Sequence, residues 1–188
     1  TDLPKSELLL IAGSMIYPNS TEMIASPIFQ KIVEFFKTKL DYIIIDTPPA
    51  LSYLTINAFM AADGLIVPLP PNALDFASSA QFWSLFSDLA SNLVETAGLS
   101  KSYDFIHVLL SRVDSSDAAT SVVRSWITAT YAEKVLPVEI PKTTVTSASS
   151  AEFGTVYDIS KYEGSLKTYK RARDAYDRFV ELVEQSIS

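Results

Sequence analysis

The sequence predicts a doubly wound α/β fold: a mainly parallel sheet with helices on both faces. Two observations predict it. Short apolar runs alternate with longer stretches of helical periodicity along the whole chain. The clearest run, Tyr42-Ile43-Ile44-Ile45, is unbroken and β-branched, and reads as a strand buried on both faces, as parallel strands are. That run stops at Asp46, and Thr47-Pro48-Pro49 then bars continuation as strand or helix without a turn. An acid at the carboxyl end of a buried parallel strand stands where open α/β sheets bind ligands. The plain alternative is a core strand whose acid merely starts a loop.

At 188 residues the chain is expected to form one α/β domain over 1–188, with ample length for a core. No apolar run approaches the roughly 18 residues that would span a bilayer. The first residue is Thr1 rather than Met, so the chain is expected to be a fragment or a processed product. The absence of cysteine excludes disulfides and thiolate metal sites and suits a reducing cytosol. A single histidine, His107, excludes a multi-histidine metal cluster. The net charge of −7 argues against a surface that binds nucleic acid everywhere. The charge is uneven, however: residues 161–178 carry a local +3, while 1–160 carry −8.

The elements follow in order. Glu7 to Gly13, with the apolar run Leu8 to Ala12, is a short buried strand, and 14–21 a loop. Thr21 or Ser26 caps a helix with Pro27 in its first turn. Ile28, Phe29, Ile32, Val33, Phe35, Phe36 and Leu40 recur on it at helical spacing. After the Asp46 strand, 52–62 is a helix and 64–69 a strand. A long helix runs from Asp75 to about Thr96, with an aromatic stripe of Phe76, Phe82, Trp83 and Phe86 that reads as core, and Gly98 ends it. Residues 104–113 form a strand in which His107 is a packed or hydrogen-bonded residue. Ser115 or Ser116 caps a helix to about Tyr131, with Val122, Val123, Trp126, Ile127 and Thr130 on one face. Residues 135–140 form a strand that Pro137 marks as an edge or a bulge. Thr143 to Ser150 reads as a Ser/Thr-rich loop, 151–157 as a helical turn ended by Gly154, and 163–187 as a long amphipathic helix.

Three segments resemble one family: Asp41-Tyr-Ile-Ile-Ile-Asp-Thr-Pro-Pro49, Asn57-Ala-Phe-Met-Ala-Ala-Asp63 and Pro68-Leu-Pro-Pro-Asn-Ala-Leu-Asp-Phe76. They are similar to the ParA plasmid-partition ATPases of the deviant Walker A superfamily, and to its large branch in particular. The likeness runs from about Leu8 to the C-terminus and is loosest after Asp114. It implies ATP and Mg²⁺ as cofactors, with Asp46 as the Walker B-type acid that orients Mg²⁺ through a water. It places Thr47 and Pro48 in the loop that senses the γ-phosphate, and Arg112 and Pro141 beside the base. It further implies an ATP-bound homodimer, a ParB-type centromere-binding partner, DNA bound without sequence preference or at an operator, no membrane, and a cytoplasmic, nucleoid-associated location. For DNA, the basic residues that fit are Lys142, Lys167, Lys170 and Arg171. Lys167, Lys170 and Arg171 share a helix face, though Asp174 follows on the same face. The bland reading of each is a solvated helix face.

One part of the family pattern is missing from these residues. A Gly-rich phosphate loop needs clustered glycines whose amides cradle the anion. The five here, Gly13, Gly64, Gly98, Gly154 and Gly164, are scattered. The chain is therefore expected to be the C-terminal part of such an ATPase and to be inactive alone. Two rivals stand beside this reading. One is a non-catalytic DNA-binding or assembly module of the same fold. The other is a related superfamily member, such as a MinD-like division-site regulator or a chain-length kinase. The C-terminus lacks a strongly apolar and basic membrane-targeting helix, which counts against the regulator, and there is no terminal tyrosine cluster to support the kinase.

Overall fold

The computed structural model describes residues 8–12, 27–47, 52–98, 100–158 and 164–187. The chain divides into two compact units, Thr1–Asp63 and Gly64–Ser188. The loop expected at 14–21, the caps expected at Thr21 and Ser26, and Pro48 and Lys161 lie outside the described residues.

In the first unit, β1 (Leu8–Ala12) pairs in parallel with β2 (Tyr42–Asp46), from Leu8 opposite Tyr42 to Ala12 opposite Asp46. Between them runs α1 (Pro27–Lys37), which packs on β2 and on α2 (Tyr53–Ala61). Pro27 opens α1, where its missing N–H is no loss. The Ser52 hydroxyl starts α2 by accepting the Thr55 N–H at 3.4 Å. At the other end of α1, Lys37 Nζ meets Asp63 Oδ1 at 3.0 Å and Glu34 Oε1 at 3.3 Å. A cation in the last turn also suits the helix dipole.

Two expectations need correction here. β2 is not buried on both faces, because Ile44 is 52% exposed. Side chains alternate along a strand, and the face that Ile44 shares with Asp46 is left open in a sheet that has two strands among the described residues. The apolar stripe of α1 is likewise broader than what it buries: Val33 is buried, while Ile32 and Phe35 are exposed.

In the second unit, β3 (Gly64–Leu69), β4 (Phe105–Val113) and β5 (Val135–Pro141) form a parallel sheet in that order. Helices α3 (Ala73–Ala97), α4 (Ala118–Tyr131), α5 (Thr144–Ala151) and α6 (Leu166–Ile187) accompany it. β4 is the middle strand and packs on both faces. Val108, Leu110 and Val113 join Leu69, Val123 and Ile127, the last two from α4. Leu109 points the other way, to Leu136, Ile140 and the α6 side chains Ala175, Tyr176, Phe179 and Leu182. Helices on opposite faces of a parallel sheet make the doubly wound arrangement that the alternation predicts. β5 lies at one edge of this sheet, and its register with β4 shifts twice, as its Pro137 foretells.

Further differences are local. Asp117, not Ser115 or Ser116, caps α4, accepting the Ala119 N–H at 3.0 Å. Ser116 instead donates both its N–H and its hydroxyl to Asp114 Oδ1. α4 buries Thr120, Val123 and Ile127, whereas Val122 and Trp126 are about half exposed. The Ser/Thr-rich stretch after β5 is helix α5 rather than loop. Thr143 caps it through the Thr146 N–H at 3.3 Å, and the buried Val145 anchors it beside Val156 and Ala172 of α6. Its hydroxyls turn back onto helix carbonyls, as Ser149 Oγ does to Val145 O at 3.0 Å, so their competition with the backbone is spent inside the helix.

Candidate functional site

Asp46 is the last residue of β2 and is exposed; Thr47 follows it, half-buried. The Asp46 carboxylate has no ion-pair or hydrogen-bond partner among the described residues. Its position follows from the sequence: the β-branched run drives the strand, and the proline pair after Thr47 ends it.

In the second unit, the carboxyl ends of β4 and β5 build a tight cluster. Arg112 adopts φ 53°, a left-handed conformation that costs a non-glycine residue roughly 1 kcal/mol. It sits in the shifted stretch of the ladder, between the Leu110–Glu139 and Val113–Pro141 pairs. Strain of this kind gathers at functional positions. Pro141 ends β5 opposite Val113, and the Lys142 N–H donates to Val113 O at 3.0 Å. Lys142 Nζ lies 3.6 Å from Asp114 Oδ2. Asp114 Oδ1 accepts from Ser116 Oγ at 2.6 Å and from the Ser116 N–H at 3.1 Å. The Ser116 hydroxyl and amide, with the Lys142 charge, hold the Asp114 carboxyl below its usual range.

The structure thus brings Arg112, Pro141 and Lys142 together. Sequence reading named those three but missed Asp114, which pairs with Lys142, and the Ser116 bonds that fix it. The signal was available: Asp-Ser-Ser directly after a strand is an Asx-turn pattern. Lys142 belongs to this cluster rather than to the α6 bases. Lys167, Lys170 and Arg171 line an open depression on α6 with Leu166 and Asp174, so the mixed face read from the spacing is present. His107 is packed as expected: it stacks on Phe105, and its Nε2 lies 2.7 Å from Ser186 Oγ.

No group of three or more acidic, histidine or cysteine side chains that could enclose a metal exists among the described residues. The donor chemistry fits one part of Mg-nucleotide binding. Asp46 supplies an exposed hard-oxygen carboxylate of the kind Mg²⁺ takes, often through retained water. Among the described residues, Gly64 and Gly98 serve the fold. Gly64 makes room for the Phe105 ring, and Gly98, at φ 62°, ends α3.

Comparison with known proteins adds to this geometry. An AAA-domain family model matches residues 5–97, which include β1, β2 and Asp46. The chromosome-partitioning ATPase Soj of Thermus thermophilus is 31% identical over 135 residues, 70% of this chain and 50% of Soj. A solved partition protein superposes with a TM-score of 0.65 at 20% identity, covering 89% of this chain and 41% of that one. These matches liken the chain to ParA-type partition ATPases. A Cyanothece McdA–ATP complex, at 14% identity and a TM-score of 0.63, covers 94% of this chain and 86% of its own and shows the same fold. The chain spans half the length of its curated relatives or less. Those relatives include plasmid and chromosome partition proteins.

Proposed function

We propose that this chain carries the metal-directing and base-side half of a ParA-type partition ATPase site, within one α/β domain over 1–188. The observation that carries the reading is Asp46: an exposed carboxylate, free of partners among the described residues, that closes a parallel strand inside the family-matched stretch. Bound Mg-ATP would supply the γ-phosphoryl group and the ion that neutralises its charge. Asp46 would hold the ion's hydration water, with Thr47 and Pro48 as the neighbouring loop that responds to the γ-phosphate. Arg112 and Pro141 would flank the base, and the bonds of Asp114 keep that loop in shape. Catalysis in such a site is positioning and electrostatics rather than covalent chemistry.

The finer parts of the proposal extend beyond this chain. The complete protein would dimerise around ATP and bind DNA without sequence preference through Lys167, Lys170 and Arg171, with Lys142 a weaker candidate because Asp114 already engages it. A ParB-type partner would stimulate hydrolysis in a cytoplasmic, nucleoid-associated setting. No helix among the described residues is long and apolar enough to cross a membrane.

The test uses both the 188-residue chain and the full-length protein. The chain alone should not turn over ATP, because no phosphate loop is in it. Clear turnover by the chain would mean that the chemistry has been misassigned. In the full-length protein, changing Lys167, Lys170 and Arg171 together to Ala should weaken DNA binding and flatten its salt dependence while leaving ATP binding intact. Superimposable titrations would reduce the cluster to a solvated helix face.

A further inference from the structure

We propose that Phe153 is a wedge that enters duplex DNA beside the basic face of α6. This deepens the DNA-binding part of the proposed function and rests on it.

The argument starts from the end of α5. The Gly154 N–H donates to Ser149 O at 2.9 Å and the Phe153 N–H to Ser150 O at 3.1 Å. That pair of bonds is the Schellman pattern, with Phe153 in the left-handed position after the cap residue Glu152. The position almost always takes glycine, because a Cβ is strained there. Here the next residue is a glycine, yet the chain puts Phe153 at φ 55° and keeps Gly154 out of the left-handed region. The apolar contact that usually closes this motif is missing too, since its two positions hold Gly154 and Ser149. Phe153 is fully exposed, at 101%. It is strained, buries nothing and sits where a smaller residue would fold better. A local rule broken without structural compensation points to a role outside the fold.

The surroundings say what the ring meets. The turn after Phe153 packs against α6. Tyr157 OH donates to Asp177 Oδ1 at 2.7 Å, the Arg173 guanidinium lies 4.5 Å from the Tyr157 ring centre, and Tyr169 OH reaches Val156 O. On a helix, Lys170, Asp174 and Lys167 lie on the arc next to Arg173 and Asp177, with Arg171 beyond them. The exposed aromatic therefore projects from a turn bordered by a stripe with five cations, Lys167, Lys170, Arg171, Arg173 and Arg178, and three acids, Asp174, Asp177 and Glu181, the last paired with Arg178 at 2.9 Å. Of the nearby acids, Asp177 accepts from Tyr157 and Asp158 from the Thr155 N–H and hydroxyl at 2.7 Å each, while Glu152, beside the ring, is exposed. An occupant that offers an apolar face to the ring and anionic groups to the rim is a stack of bases between two phosphate strands. Aromatic wedges enter between base steps in this way, and they do so without reading sequence.

The test compares Phe153→Gly, Phe153→Trp and the Lys167/Lys170/Arg171→Ala variant in the full-length protein loaded with Mg-ATP. Each is titrated against a short labelled duplex across a salt series, with end-to-end fluorescence transfer reporting DNA bending. Phe153→Gly should raise Tm by about 2–4 °C, since strain is relieved. It should also weaken DNA binding by about tenfold with an unchanged salt slope, and abolish bending. Phe153→Trp should retain both. If the basic variant binds like wild type, the DNA reading itself fails. If the basic variant weakens binding while Phe153→Gly does not, the wedge is overturned and the DNA reading survives. If Phe153→Gly leaves DNA binding intact but abolishes stimulation by the protein partner, Phe153 is a protein contact and the wedge is overturned as well.

Discussion

Strand β4 is sealed along its middle, with Val108, Leu109 and Leu110 at 0%, 6% and 2% exposure, whereas β2 leaves Ile44 at 52%. Their ends differ in the same direction. Beyond β4, Asp114 is committed to Ser116 and Lys142. At the end of β2, the Asp46 carboxylate is free of described partners. The difference separates structural acids from available ones. A carboxylate whose lone pairs are already filled shapes a loop; one that ends a strand unpaired has its coordination capacity left for a ligand.

The comparison can be broken or sharpened by substitution. The largest effect is expected from the sealed region. Ile127→Ala, on the α4 face that packs on β4, should cost about 2–5 kcal/mol in denaturant unfolding, because it opens a cavity in a closed cluster. A value near zero would show that this cluster is not the core.

Asp114→Ala comes next. It should lower Tm at neutral pH and flatten the acid limb of stability. The sign follows from the carboxyl being held below its usual range in the folded state, first by Ser116 and then by Lys142. Such a group stabilises above its unfolded pKa of roughly 3.9, and that contribution is lost as pH falls through the lower, folded value. An identical acid limb in wild type and variant would mean that the Asp114 bonds contribute nothing.

His107 gives a smaller effect nearer neutrality. Burial lowers its pKa. Ser186 Oγ donates to Leu182 O at 2.9 Å, so the imidazole Nε2–H is the donor to Ser186. The unfolded chain then binds the proton more readily. Stability should be complete above about pH 6.5 and fall below it. His107→Gln should remove that slope between pH 7 and 5. Persistence of the slope would place its origin elsewhere.

The smallest effect belongs to Ile44→Thr. At an exposed strand position, β-branching is kept and little burial is lost, so the 188-residue chain should change by less than about 0.5 kcal/mol. A loss comparable to that of Ile127→Ala would mean that β2 is as sealed as β4.

The same contrast explains what could be read from the sequence. Strands announce themselves because β-branched runs bounded by proline and glycine have few other conformations, and Asp46 was visible as the break in such a run. The apolarity of Ile44 was equally plain, but burial depends on neighbours that a local pattern does not contain. α5 was hidden because Thr143 to Ser150 is rich in residues of low helix propensity; the cap at Thr143 and the anchoring of Val145 against α6 override that preference. Phe153 was hidden for a related reason. Phe-Gly after a helix suggests that the glycine takes the left-handed position, and only the hydrogen bonds show the phenylalanine there.

The central claim is that Asp46 is the metal-directing acid. Its most direct test is nucleotide binding by full-length wild type and Asp46→Ala, titrated with ATP in the presence and absence of Mg²⁺, with turnover followed in the same samples. The account predicts that Asp46→Ala loses the Mg²⁺-dependent gain in affinity and falls in turnover by roughly a hundredfold or more. Mg²⁺ dependence and turnover equal to wild type would contradict it.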